Sequence, residues 1–357
     1  MIGLERRPAP SRAVVWLTPI FALGLTMLSG LALFAALGQD PVQATTLIFL
    51  SPFADAYSIS EMMVKAAPLI LIAVGLSLGF RAEVWNIGAE GQFVIGTITA
   101  SAVALAFYDQ SGIWLLPLMC IAGMAGGMAW AAVPAFLKTR FGANEILVSL
   151  MLVYVAVLLL SALVTGPLRD PDGFNFPESR IFHDSALLPK LTEDGRAHIG
   201  FPIAIVAALA AWILLGRHVI GFQIRLTGDS PKAARFAGFG ERRIIWICLM
   251  ASGGLAGLAG AFEVSGPVEQ LVPSLPVGYG FTAIIVAFLG RLNPLGIILA
   301  GIVIAATYIG GEAAQIEMQL PSAVTSVFQG MLLFYLLGMD LLSSYRIRFG
   351  ARRVEGV

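Results

Sequence analysis

The chain has 357 residues, of which 58% are strongly apolar and only 12% charged, with 39 glycines in addition. A soluble domain averages about 45–50% apolar residues with glycine included, so too little polar surface is left to cover a water-facing protein of this size. The formal net charge is zero, which removes any bulk electrostatic case for nucleic-acid binding.

A helix needs about 20 mainly apolar residues to cross a bilayer. The chain offers ten such segments, near 13–37, 62–80, 87–108, 113–137, 146–165, 200–216, 244–262, 277–290, 295–311 and 323–342. The first follows Arg6, Arg7 and Arg12 as a signal peptide would. It is longer than the roughly 7–15 apolar residues of such a peptide, and is read as a retained helix. The eighth and ninth are short and closely joined through Arg291, Asn293 and Pro294, as in a broken or tilted hairpin. The fold class expected is an all-α polytopic membrane protein of about ten helices, forming a single permease domain over 1–357.

Basic residues set the orientation. With both termini in the cytoplasm, the inner segments collect Arg81, Lys138, Arg140, Arg217, Arg225, Lys232, Arg235, Arg242, Arg243, Arg291 and the terminal arginines. The outer segments hold Arg169, Arg180, Lys190 and Arg196, all in one loop, and the acids Asp40, Asp55, Glu61, Asp109, Glu263, Glu269, Glu312 and Glu317. Lys65 is expected near the outer end of the second segment, where its stem can reach the headgroups. Two longer excursions result, a periplasmic loop over 166–199 and a cytoplasmic loop over 217–243.

Absences narrow the function. There is no GxxxxGK[ST] phosphate loop, so the chain has no nucleotide site of its own. His183, His198 and His218 are too scattered for a metal site, and HExxH is missing. A proton-driven carrier needs ionisable groups along its path, and only Glu90 reads as deep. Cys120 and Cys248 both fall inside apolar segments, as small buried side chains do.

Two polar stretches remain. Asn86, Glu90, Thr97 and Ser101 are spaced 4, 7 and 4 apart, one stripe if the helix includes them all. With Gln92 they supply amides, a carboxylate and hydroxyls. Asn86, Glu90, Gln92 and Thr97 are therefore candidates for a substrate pathway, or for groups that hold a neighbouring helix end. An ionised carboxylate in mid-membrane costs about 2.5–3.5 kcal/mol on insertion scales, so Glu90 should face protein or water.

The second stretch runs from Gly228 through Asp229 and Ser230 to Gly238. Ser230 suits an N-cap, Pro231 the first helical position and Gly238 the residue past the end. A helix of two turns is marginal alone in water and must dock on something. Ala233, Phe236 and Ala237 share one face of it. That face packs either on this chain's own helices or in a groove on a partner. Elsewhere, Gly123 and Gly127, Gly253 and Gly257, and Ser252, Ala256 and Gly260 have the small-xxx-small spacing that lets membrane helices approach closely.

These stretches carry a resemblance. Trp85–Gln92, Gly228–Gly238, Ala251–Ala261 and Gly278–Pro294 resemble, in order, permease subunits of simple-sugar and nucleoside ATP-binding-cassette (ABC) importers, the branch related to ribose and galactose permeases. The enlarged outer loop and the Asn-Ile-Gly-Ala-Glu-Gly-Gln motif are similar to the longer subunit of the nucleoside type. The resemblance implies a pore subunit of an importer in a bacterial inner membrane, without its own ATPase site or cofactor. ATP would be used by a separate ATPase subunit. A second, unlike permease, an external substrate-binding lipoprotein and membrane lipid are the other implied partners. It assigns ATPase coupling to Asp229, Ser230, Pro231, Ala233, Ala234, Phe236, Ala237 and Gly238. Residues 281–289 are bulkier than the common family versions, which bears on pore width and substrate. A stand-alone secondary carrier or channel for a small polar solute is the alternative, and a membrane-embedded enzyme the third.

Overall fold

A computed structural model describes residues 2–6, 12–193, 195–321 and 323–349. Arg7, Arg352 and Arg353, counted above toward the inner charge, lie outside the described residues. Within them the regular elements are helices, apart from one short antiparallel ribbon of β1 (Ile2–Arg6) and β2 (Tyr345–Phe349), paired from Ile2 opposite Phe349 to Arg6 opposite Tyr345. The ribbon puts both ends of the described chain on the same side.

The helices are α1 (Arg12–Ala36), α2 (Pro41–Leu50), α3 (Ala56–Arg81), α4 (Ala89–Ala106), α5 (Leu115–Phe141), α6 (Glu145–Thr165), α7 (Gly200–Arg217), α8 (Val219–Asp229), α9 (Pro231–Phe236), α10 (Glu241–Glu263), α11 (Tyr279–Leu289), α12 (Pro294–Met318) and α13 (Ala323–Ser344). Seven of these elements are long and apolar enough to cross a membrane: α3, α4, α5, α6, α7, α12, and α10 with its extension to Val268. Three shorter apolar stretches lie in α1, α11 and α13.

The chain forms two compact units. One holds residues up to Pro52 and from Thr307 onward. Its core is Phe34, Ala44, Ile48, Ala314, Met318, Leu320 and Phe328, with Phe34 and Phe328 stacked at 5.4 Å. Asp40 caps α2, accepting the Val42 and Gln43 N–H groups, with Pro41 at the first helical position. The sequence reading ends the ninth segment at 311, before Glu312, whereas α12 runs on to Met318. A Cβ at Gly310 would stand 2.0 Å from the Ile48 carbonyl oxygen, so this glycine serves close helix packing rather than a stop.

The other unit, 53–306, is built on α3, α4, α5 and α10. The spaced glycines explain its tightness. A Cβ on Gly127 would lie 2.1 Å from the Gly253 carbonyl oxygen, and one on Gly257 equally close to that of Gly123. Side chains are excluded there, and backbones meet instead.

One end of this unit gathers Leu78, Ala82, Val84, Ala135, Leu215, Ile224, Ile244, Ile245 and Cys248 into a single apolar cluster. The basic segments around Arg81, Lys138, Arg217, Arg225 and Arg243 adjoin it in sequence. The opposite end carries the 166–199 loop. Arg196 pairs with Glu61, Ser60 Oγ accepts the Ala197 N–H at 2.8 Å, and the Ser179, Phe182 and Leu188 N–H groups donate to the Leu271, Glu269 and Ser265 carbonyls.

Candidate functional site

The expected stripe is interrupted. Asn86 is not on α4, because the helix starts at Ala89 behind Gly88. Residues 82–88 run between α3 and α4 without helical structure, and Glu83 has φ +56°. Backbone of this kind needs partners where water is scarce. It finds them: the Ala82 and Val84 N–H groups donate to Gly79 O at 2.8 and 2.9 Å, and the Ile87 N–H to Ser149 Oγ on α6 at 3.3 Å. Glu145 pairs with Lys138 at the α5–α6 connection.

The candidate residues still come together, but through hydrogen bonds rather than a shared helix face. Asn86 is 1% exposed. Its Nδ2 donates to Gln92 Oε1 at 2.8 Å and to Ser252 Oγ at 2.9 Å, while its Oδ1 accepts from Gln92 Nε2 and the Gly88 N–H. Thr97 and Ser101, both buried on α4, spend their hydroxyls on the Phe93 and Thr97 carbonyls one turn back. Glu90, 2% exposed, reaches across to α11. Its Oε1 accepts the Gly278 N–H at 2.9 Å and its Oε2 the Gly280 N–H at 2.5 Å.

That contact explains the shortness of α11. Eleven residues span about 16 Å, half of a hydrocarbon core. A helix starting inside a bundle leaves its first N–H groups without intrahelical partners, and a carboxylate is their natural acceptor. Gly278 sits at φ +88°, a conformation that favours glycine, and a Cβ on Gly280 would meet the Glu90 backbone at 2.2 Å. At its other end α11 brings Phe288 into stacking distance of Phe80 and Trp85.

A second acid was not legible as deep. Glu263, read as outer, is 7% exposed near the end of α10, and Tyr279 donates its hydroxyl to Glu263 Oε1 at 3.3 Å. Lys65 is nine residues into α3, which begins at Ala56 rather than near 62. Instead of reaching outward, its Nζ lies 5.9 Å from the Tyr279 ring centroid, within electrostatic reach of Glu263. Acids from α4 and α10 and a lysine from α3 thus converge on the first turn of α11. Glu61 is likewise buried, against Arg196.

The 217–243 loop contains two helices where one was expected. His218 caps α8 through Nδ1, and Gly221, Ile224 and Thr227 turn its inner face into the bundle. A Cβ on Gly228 would stand 2.0 Å from the Arg81 carbonyl oxygen, which pins the end of α8 to the end of α3. Asp229 ends α8, Ser230 separates the two helices, and Pro231 opens α9. The Ser230 side chain makes no capping hydrogen bond; its carbonyl accepts the Ala234 N–H at 3.0 Å. Ala234 is buried, whereas Ala233, Phe236 and Ala237 are exposed. Phe236 is 93% exposed. Gly238 follows at φ +78°.

Fold and site define a multi-pass membrane protein with a half-length helix fixed inside the bundle and a short helix projecting from one end. The profile of the branched-chain amino acid transport system permease component matches residues 58–337, and the chain belongs to that family. It is 32% identical to the glucose ABC transporter permease protein TsgB13 of Haloferax volcanii, over 97% of this chain and 94% of that one. It is 30% identical to the guanosine ABC transporter permease protein NupP of Bacillus subtilis, over 93% and 94%. The nucleoside ABC transporter permease protein NupB of Lactococcus lactis is 26% identical over 90% of each. The chain is a transport subunit, a pore component of an ABC importer whose ATPase lies in a separate subunit.

Proposed function

We propose that this chain forms half of the pore through which an ABC importer carries nucleosides into the cell, with simple sugars as the second reading. The observation that carries it is the nearly full-length match to permeases named for guanosine, nucleosides and glucose. A family this broad leaves the substrate to the site. Ten transmembrane helices with both termini in the cytoplasm fit the seven long and three shorter apolar helices, and the charge asymmetry. The subunit has no enzymatic activity or cofactor of its own.

In this reading, α9 faces the ATPase. Asp229, Ser230, Pro231 and Gly238 set the start and end of the projecting helix, Ala234 seats it, and Ala233, Phe236 and Ala237 offer the contact. Asn86, Glu90, Gln92 and Thr97 act on the pathway by holding its walls, Glu90 by fixing α4 against α11 and Asn86 with Gln92 by tying the 82–88 segment to α4 and α10, rather than by binding solute with free polar groups. A second, unlike permease completes the pore, an external substrate-binding lipoprotein supplies the solute, and the assembly resides in the inner membrane among its lipids.

The test is co-reconstitution of the chain with a second permease, the ATPase and the binding protein in vesicles. Uptake of labelled guanosine that needs ATP and exceeds glucose uptake is the expected result. Glucose uptake alone would favour the second reading, and uptake without the ATPase would favour a stand-alone carrier.

A further inference from the structure

The 169–180 tip of the outer loop is a built surface. The Asp170 N–H donates to the Glu178 carbonyl at 2.8 Å, the Phe176 N–H to Gly173 O at 2.9 Å, and the Asp172 N–H to Asp170 Oδ1 at 3.0 Å. Arg169 holds Asn175, and Arg180 reaches both Asp170 and Asp172 while lying 5.4 Å from the Tyr108 ring beyond α4. Below the tip, Ser179 and Gln270 tie it to the 264–278 segment that leads into α11.

This hydrogen-bonded frame displays apolar groups. Phe174 is 94% exposed and Phe176 63%. Phe174 and Asn175 have φ +50° and +72°. Positive φ is unusual for a bulky residue and carries a conformational cost. Exposed, pre-ordered aromatic side chains are what protein interfaces use as anchors. Residues 169–184 carry four carboxylates against two arginines. Such a rim gives anionic headgroups no attraction and suits a basic partner.

We propose that Phe174 and Phe176 are the docking knob for an extracytoplasmic protein presenting an apolar pocket rimmed by Lys and Arg. This rests on the importer reading above, in which that protein is the substrate-binding protein. The tip's hydrogen bonds to the 264–278 segment place the contact in line with α11.

The experiment uses the assembled transporter in lipid nanodiscs and the purified substrate-binding protein that supports its uptake. Phe174→Ala with Phe176→Ala should weaken binding by about tenfold or more, as loss of an aromatic anchor does. Thermal stability and basal ATP hydrolysis should be unchanged, and wild-type binding should weaken as salt rises. Phe174→Trp should be quenched by aqueous iodide and shielded by the binding protein. Wild-type affinity in the double variant overturns the assignment, and so does quenching of that tryptophan by brominated lipid, which would place the tip in the membrane. A wild-type complex with no ATP-driven uptake would sink the importer reading and the surface with it.

Discussion

Glu90 and Gly278 are 188 residues apart in sequence, and the carboxylate of one accepts the backbone N–H of the other at 2.9 Å. With the neighbouring bond to Gly280, this places the first turn of α11 under the control of α4. A helix end buried without an acceptor is costly, and each lost hydrogen bond to a charged group is worth about 1.5–3 kcal/mol.

Glu90→Gln keeps the shape but turns an amide N–H₂ toward a backbone donor. The purified complex should melt at lower temperature, with about 2–3 kcal/mol lost from this unit, since one of the two N–H groups loses its acceptor. Asn86→Ala should also destabilise, because Gln92 and Ser252 lose a shared partner. Unchanged melting and uptake in both variants would remove these residues from the site.

Close helix contact gives a second prediction. Gly127→Leu puts a side chain where the Gly253 carbonyl oxygen stands 2.1 Å from the Cβ position. The cost should be about 3 kcal/mol or more, seen as failed assembly on size exclusion. Gly330→Ala is the control, with nothing within 4 Å of its Cβ position. Equal assembly of the two variants would contradict the packing.

His198 links stability to pH. Its ring is buried in the 166–199 loop between Gly200 and Gly266, and Nδ1 accepts the Gly200 N–H at 3.1 Å. Burial pushes the ring down to about 4. In an unfolded chain it titrates near 6.5, so between those values the unfolded state binds the extra proton. The stabilisation is complete above pH about 6.5 and is lost as pH falls toward 4. Melting curves over that range should show a few kcal/mol of loss at most, and His198→Gln should flatten the slope. An unchanged slope in the variant would assign the pH dependence elsewhere.

The long helices were legible because length and hydropathy alone decide them, as in 146–165 against Glu145–Thr165. Small-xxx-small spacing likewise anticipated the contacts of Gly123, Gly127, Gly253 and Gly257. Local signals failed where tertiary contacts decide. Asn86 looked helical by spacing, but 82–88 takes its hydrogen bonds from Gly79 and Ser149. Glu263 and Lys65 looked like interface charges because their shared partner, Tyr279, is remote in sequence. Helix α8 was missed because its apolar face, through Ile224 and Gly228, makes sense only against the ends of α3 and α10.

Topology follows from the charge pattern. Single cysteines at Ser185→Cys and Ser230→Cys, in a background of Cys120→Ala and Cys248→Ala, should react with an impermeant thiol reagent from opposite faces of the membrane. Reaction of both from the outside would contradict the ten-helix arrangement.

The central claim is that a separate ATPase drives this pore through α9, and Ala233→Asp tests it most directly. Ala233 is exposed on the face shared with Phe236, so an aspartate there leaves the subunit's own packing intact. Buried in a partner's groove, the same carboxylate is an unpaired charge, which is strongly unfavourable. The prediction for the reconstituted complex is normal insertion and melting temperature, with ATP-driven uptake and substrate-stimulated ATP hydrolysis both sharply reduced. Uptake at the wild-type rate, with the aspartate verified in the protein, would contradict it.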